Sequence, residues 1–252
     1  MKWIISSYKD VQSIIEEVAF KRMGGCTFLY RGHASTSFKL LSMVGRKMPI
    51  NGNLQVSELN CFQDFVKLAK KRDWLDFKLN SCNKELFYMS IGRHLGLDCR
   101  LLDWTASIET ALFFATSEEK LLEEDGHLWI MAFNESIDNS KTKNDPFTVD
   151  ELTLIKEDYY IPDDHLIKDQ PLGILRRFRQ HGFFTITPFK QLTIPLDEID
   201  NEHFHFYPIV IKACAKNEIL EKIDKNKDFL YLAKHYRIED DIKKINTRYF
   251  EQ

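Results

Sequence analysis

Arg31 is the residue whose position most clearly suggests chemistry. It follows residues 26–30, a short run of strand-forming side chains, and it precedes Gly32. A charged residue at the end of a strand usually faces solvent or a ligand, because the interior of a strand would leave its charge unsolvated. A guanidinium binds phosphate through paired charge-assisted hydrogen bonds, and a following glycine lets a backbone or a phosphate approach closely. The spacing therefore predicts an anion site at Arg31.

The run Arg-Leu-Leu-Asp-Trp-Thr that begins at Arg100 places two charges inside an apolar segment. Since an unpaired charge there would be costly, the residue types favour a structural ion pair, either Arg100 with Asp103 or Arg31 with Asp103; substrate binding is the alternative. Trp104 is interpreted as a core anchor rather than a stacking platform. Thr105 is predicted to cap the helix that follows.

Other polar motifs give weaker indications. His94 and His181 have no visible partner, which favours structural histidines over acid–base catalysts. His203 and His205 share a strand face without a third ligand at metal spacing, so no metal site is predicted. The basic run at residues 176–179 contains a phenylalanine, and either contact with a nucleic-acid backbone or a solvated helix face would explain it.

Composition limits the class of protein. The 252 residues are 44% hydrophobic, enough for a sizeable core, and the net charge of −3 gives no long-range attraction to nucleic acid or anionic membranes. Residues 1–100 carry 16 basic and 9 acidic side chains, so an anion site should draw on them. Five cysteines without a Cys-x-x-Cys pair predict a reducing compartment. No apolar run approaches the ~20 residues of a membrane span, and we expect a cytoplasmic protein with no membrane partner.

Apolar periodicity predicts the elements that must position these residues. Helices are predicted from Val11 to Ala19 with an end at Gly24 and Gly25, from an N-cap at Ser57 through Ala69, and over residues 85–94, 108–115 and 213–234; strands are predicted over residues 26–30, 127–133, 183–186 and 203–211. This order indicates an α+β fold with a mostly antiparallel sheet flanked by helices. We expect one domain over residues 1–252, with a motif-bearing core at about 20–190 and a C-terminal strand and helices at 191–252.

The motifs together resemble the FRG domain family, named for its (Phe/Tyr)-Arg-Gly signature. They fall at residues 30–32, 40–46, 93–105, 111–115 and 180–185. The chain departs from the family pattern at Ser42, Met43, Arg93, Asp98 and Cys99. The resemblance implies a substrate site that includes Tyr30, Gly32, His33, Arg46, His94, Arg100, Asp103, Trp104 and His181, and it implies no established activity.

Arg31, Thr105 and Gln180 are also similar to the three-part NAD site of ADP-ribosyltransferases. That resemblance implies a transferase-like fold with a split sheet, in which Arg31 holds a phosphate and Thr105 orients Arg31 or the ribose. Gln180 would occupy the late-strand position, where those enzymes have a glutamate. An amide can hydrogen-bond a hydroxyl but cannot accept its proton. NAD is then a possible substrate, and no cofactor is required.

Three hypotheses follow from the sequence. The first is an enzyme that binds NAD or a related nucleotide and transfers ADP-ribose to a protein or nucleic-acid acceptor, an activity that would suit bacterial defence. The second is a non-catalytic module that binds a phosphorylated small molecule or nucleic acid. In the third, the motifs only build a rigid core.

Overall fold

The computed structural model describes residues 4–23, 25–71, 84–134, 146–156, 182–223 and 237–251. The helices in these ranges are α1 Tyr8–Met23, α2 Leu54–Lys71, α3 Lys84–His94, α4 Ile108–Thr116, α5 Ala213–Ile223 and α6 Arg237–Asn246. The strands are β1 Ile4–Ile5, β2 Cys26–His33, β3 Leu101–Thr105, β4 Gly126–Asn134, β5 Thr153–Lys156, β6 Gly182–Ile186 and β7 Phe204–Ile211. The predicted α+β class is confirmed. Most strand pairs are antiparallel, and β1 with β7 is parallel.

The chain forms two compact units. The first comprises Met1–Leu40, Asp103–Asp138 and Pro195–Ala233, and the second comprises Leu41–Leu102, Asn139–Ile194 and Lys234–Gln252. The division falls inside β3. The strand order is β1-β7-β4-β2-β3 in the first unit and β3-β6-β5 in the second. The expectation of one domain over the whole chain stays a prediction.

The first unit packs α1, α4 and α5 against one face of its strands. The buried core there contains Ile5, Val11, Ile14, Val18, Phe28, Tyr30, Ala111, Leu112, Phe113, Ala115, Leu128, Ile130, Ala132, Ile209, Ile211, Ala215, Ile219 and Ile223. On each strand these residues are two apart, which is the period of one sheet face. We call this the helix-covered face. The helices packed on it remove the apolar side chains of each strand from water.

The second unit has a separate core. It is built from α2, α3, α6, the beginning of β3, and β5 and β6, with Phe65, Met89, Leu97, Leu101 and Phe184 almost fully buried. Helix α3 ends at His94, two residues before Gly96, whose φ of +95° is the left-handed conformation that favours glycine.

Two predicted helix caps are wrong. Helix α2 begins at Leu54, and Asn53 Oδ1 accepts the Val56 N–H at 3.0 Å, so Ser57 lies inside the helix and not at its start. Helix α4 is capped by Ser107, whose side chain accepts the Thr110 N–H, because Thr105 still belongs to β3. In both cases the sequence near the start of the helix contains more than one residue that could cap it, and the backbone conformation decides which of them does.

No helix in the described ranges is both long enough and apolar enough to cross a membrane.

Candidate functional site

Arg31 and Gly32 lie on opposite faces of the first unit's strands, because successive side chains of a strand alternate. Phe28 and Tyr30, which share the side of Gly32, belong to the helix-covered core. Arg31 and His33 therefore lie on the other face, which we call the polar face.

The Arg31 guanidinium is held in a fixed orientation. Its Nε donates to His33 Nε2 at 3.0 Å, and its Nη1 donates to the main-chain oxygen of Asp103 at 2.7 Å. The His33 Nδ1 donates to the Phe38 carbonyl at 3.1 Å. Since one ring nitrogen donates and the other accepts, His33 is the neutral imidazole in this arrangement. Both atoms that orient Arg31 are thus uncharged.

Asp103 also supplies a carboxylate near Arg31. Its Oδ2 is 3.5 Å from Arg31 Nη1, and the two side chains are 26% and 16% exposed. This distance exceeds the ~2.8 Å of a charge-assisted hydrogen bond. Of the two pairings proposed from sequence, the structure therefore contains Arg31 with Asp103, as a loose and partly solvated pair.

Gly32 allows helix α4 to pack closely against strand β2. A Cβ at this position would overlap the Ala111 carbonyl oxygen and lie 2.7 Å from the Ala115 nitrogen of α4. The expectation that Gly32 admits a backbone is confirmed, and the backbone is that of α4. The two residues of the Arg-Gly motif consequently have different tasks on opposite faces.

Thr105 and Arg31 lie on opposite faces of the first unit's strands. It is paired with Tyr30 between β3 and β2, so it shares the face of Tyr30 and Gly32. Its Oγ1 accepts the Ser107 N–H at 3.1 Å. Trp104 is buried and its ring centroid is 5.9 Å from that of Phe206, as expected for a core anchor.

Strand β4 adds two side chains to the polar face. Trp129 is paired with Arg31, and His127 is paired with His33. The Trp129 ring lies edge-on to both imidazoles, with centroids 6.5 Å from His33 and 5.4 Å from His127. The polar face therefore carries a block of one arginine, two histidines and one tryptophan on adjacent strands.

Burial lowers the pKa of His127, and the nearby Asp197 carboxylate opposes this shift. Burial also raises the pKa of Asp197, with the charge of Glu198 acting in the same direction. His127 is therefore favoured as a neutral imidazole in the folded chain.

Arg100 lies in the second unit and is fully buried. Its Nε is 2.7 Å from Glu58 Oε2, both side chains being 0% exposed, and its main-chain N–H donates to Glu58 Oε1 at 2.6 Å. Its guanidinium also donates to the Pro146 and Thr187 carbonyls and stacks on Phe189 at 3.7 Å from the ring centroid. The pairing of Arg100 with Asp103 that the sequence suggested is thus replaced by a pair with Glu58. A guanidinium that is buried and paired with a carboxylate in this way fits a structural role.

Three other residues of the second unit that the sequence singled out lie apart from Arg100. Arg46 is exposed, and its Nε donates to the Leu41 carbonyl at 3.0 Å. His94 ends α3, and its ring centroid is 5.7 Å from that of Phe184. Asp98, one of the departures from the family pattern, is buried with Lys47 Nζ 3.9 Å from Oδ2, and burial raises the pKa of this carboxyl.

Gln180, His181 and the basic run at residues 176–179 lie outside the described residues. Among the residues that are described, no three His, Cys, Asp or Glu side chains are grouped to hold a metal ion. Sequence reasoning missed Glu58, His127 and Trp129. The signal for the last two was the x-His-x-Trp alternation of β4, which becomes informative only once β4 is known to pair with β2.

Comparison with known proteins gives one family. A model of the FRG domain matches residues 26–124, which include Arg31, Arg100, Asp103 and strands β2 and β3, whereas the motif at residues 180–185 lies beyond the match. Neither the curated proteins nor the solved structures contain a match. The motifs and the family model agree on the region from β2 to α4, and the chain is an FRG domain-containing protein.

Proposed function

We propose that this FRG domain protein binds a phosphorylated nucleotide of the NAD class, with the phosphate at Arg31. The observation that carries the proposal is the way in which Arg31 is held. His33 Nε2 and the Asp103 main-chain oxygen, both uncharged acceptors, fix the direction of the guanidinium, the Asp103 carboxylate lies 3.5 Å from it, and the Arg31 side chain is 16% exposed. A preoriented guanidinium that retains charge and some exposure is suited to an incoming anion.

The proposal includes transfer of ADP-ribose as the reaction to test. In that reaction the bond between the nicotinamide nitrogen and the ribose C1′ breaks, and nicotinamide leaves with the bonding electrons. A nucleophile of a protein or nucleic-acid acceptor then bonds to C1′, and its proton passes to solvent. Arg31 would hold the pyrophosphate. Thr105 lies on the helix-covered face, opposite Arg31, so it does not take the orienting role that the ADP-ribosyltransferase resemblance implies, whereas Gln180 keeps its implied role.

A second candidate function is a non-catalytic module that binds the nucleotide without converting it. The observation in its favour is Gln180, which stands where the resemblance calls for a glutamate. An amide cannot accept the proton of a ribose hydroxyl or stabilise an oxocarbenium-like transition state by charge. Under this alternative, binding at Arg31 is unchanged and turnover is lost.

Calorimetric titration of the full chain with NAD tests the binding step. We expect Arg31→Ala to weaken binding at least tenfold, the loss typical of a charged hydrogen bond of about 1.5–3 kcal/mol. Arg22→Ala is the matched control, because Arg22 is an exposed arginine at the end of α1 in the same unit. Equal affinity of the Arg31→Ala variant and the wild type would refute the site.

Release of nicotinamide separates the two candidates. Incubation of wild type and Arg31→Ala with NAD, followed by chromatographic detection of free nicotinamide, should show release by wild type alone if transfer or hydrolysis takes place. Stable binding without release would assign the protein to the non-catalytic class.

A further inference from the structure

Two buried ring nitrogens on the polar face are left without a hydrogen-bond partner. They are Trp129 Nε1 and His127 Nδ1, and within the described part of the chain neither meets a donor or an acceptor. Trp129 is only 5% exposed. Buried polar groups are almost always partnered, since an unsatisfied one costs about 1–3 kcal/mol. The indole N–H therefore has a hydrogen bond left to donate to a group from outside the chain.

Both nitrogens belong to side chains that flank Arg31. Trp129 is directly across from Arg31, and His127 is directly across from His33, in the antiparallel pair of β2 and β4. Side chains paired in this way have Cβ atoms about 4.5–5.5 Å apart. A ligand whose phosphate reaches Arg31 would thus bring its neighbouring atoms to Trp129 and His127.

The chemistry of the two nitrogens selects the ligand group. The indole Nε1 can only donate, so its partner must be an acceptor. A neutral imidazole, the form that burial favours for His127, offers one donor and one acceptor. A hydroxyl group can both accept and donate, which matches this pair, and it would lie next to a phosphate in a sugar phosphate.

We propose that Trp129 and His127 form a subsite for a sugar hydroxyl of the ligand whose phosphate binds Arg31. The ligand class is therefore a sugar phosphate, such as the ribose phosphate part of a nucleotide. This inference rests on the proposed function, and it adds the residues that distinguish a sugar phosphate from inorganic phosphate.

The test compares two probes, inorganic phosphate and ribose 5-phosphate, by calorimetric titration of the full chain. Wild type should bind ribose 5-phosphate more tightly. Trp129→Phe removes the indole N–H and should reduce this preference about three- to tenfold, the range of one net hydrogen bond, with the affinity for inorganic phosphate unchanged. Met131→Leu is the matched control, because Met131 is a buried apolar residue two positions along β4 on the same face.

A second pair of variants keeps the test valid if Trp129→Phe folds poorly. His127→Leu removes the imidazole and should lower the preference, whereas His127→Asn retains a donor and an acceptor and should preserve part of it. Equal losses for both probes in Trp129→Phe, or a preference unchanged in Trp129→Phe and His127→Leu, would overturn the subsite.

Arg31→Ala separates the subsite from the proposed function. If both probes bind Arg31→Ala as they bind wild type, the proposed phosphate site fails and the subsite fails with it. If Arg31→Ala loses both probes while wild type does not prefer ribose 5-phosphate, the phosphate site stands and the sugar subsite is overturned.

Discussion

Arg31 in the first unit and Arg100 in the second both lie in motifs of the FRG family, yet the two side chains differ in exposure and in their partners. Arg100 is 0% exposed and contacts a carboxylate, two carbonyls and an aromatic ring. Arg31 is 16% exposed, is oriented by uncharged acceptors, and is 3.5 Å from its carboxylate. One arginine therefore joins segments of a core, and the other presents a charge on a sheet face.

The comparison shows that the presence of an arginine in a family motif does not by itself determine what that arginine does. At Arg100 the carboxylate of Glu58, two carbonyls and the Phe189 ring offset the cost of burying the guanidinium, and the buried side chain is closed to a ligand. At Arg31 the hydrogen bonds to His33 and Asp103 fix the direction of the guanidinium, and the side chain stays 16% exposed. Four predictions sharpen or break this contrast, and they are ordered by the expected loss of unfolding free energy.

The largest effect is expected from Glu58→Ala. This change leaves Arg100 as a buried charge without its carboxylate, which typically costs about 3–5 kcal/mol. Urea unfolding monitored by circular dichroism measures the loss. The control Glu85→Ala removes an exposed glutamate of the same unit and should change stability by no more than about 0.5 kcal/mol. Similar values for the two variants would contradict the structural role of Arg100.

Gly32→Ala is expected to cost about 1–3 kcal/mol, because the new Cβ meets the backbone of α4, which cannot move aside locally. Gly92→Ala is the comparison. There the nearest atom is the movable end of the Leu97 side chain, and alanine gains helix propensity in α3. Thermal unfolding should show a lower Tm for Gly32→Ala than for Gly92→Ala, and the reverse order would refute the close packing of β2 on α4.

Arg31→Ala should lower the unfolding free energy by about 1 kcal/mol or less, because Asp103 is 26% exposed and can be hydrated when its partner is removed. The same urea experiment measures it beside Glu58→Ala. A loss as large as that of Glu58→Ala would place Arg31 with Arg100 among the structural arginines and would favour the rigid-core hypothesis.

The smallest effect concerns pH. Since burial lowers the pKa of His127, the unfolded chain takes up a proton at a higher pH than the folded chain does. The stability that the neutral imidazole contributes is present above the ordinary histidine pKa of about 6.5 and is lost as the pH falls towards the lower, folded value. His127→Asn should therefore lose less stability than wild type between pH 7.5 and pH 5.5 in urea unfolding. An equal loss in the two proteins would show that His127 does not contribute.

Local patterns predicted much of the fold. Helices α1 to α4 and strands β2, β4, β6 and β7 follow from apolar periodicity and glycine positions, because these signals lie within a few residues of one another. Strand β3 was missed, since it begins with a continuous apolar run and contains a charge. Strand β5 was missed because it has only four residues and follows a polar segment.

The candidate site was predicted less completely. Arg31 was found because its charge follows a strand-forming run, and Asp103 was found as one of two partners for an arginine. His127 and Trp129 were not found, because their place beside Arg31 depends on the register between β2 and β4, about a hundred residues apart in the chain. The same limit explains Glu58, which joins Arg100 from helix α2.

The sequence by itself determined the α+β class, the main helices and strands, the FRG motifs and the position of Arg31 directly after a strand-forming run, because residue type, spacing and local backbone preference carry that information. Only the tertiary structure decided which arginine is sealed and which remains partly exposed, which face Gly32 serves, and which side chains surround Arg31. Those properties depend on contacts between residues distant in the chain, and the free energy of a charge depends on the partners and the water that the folded chain leaves around it.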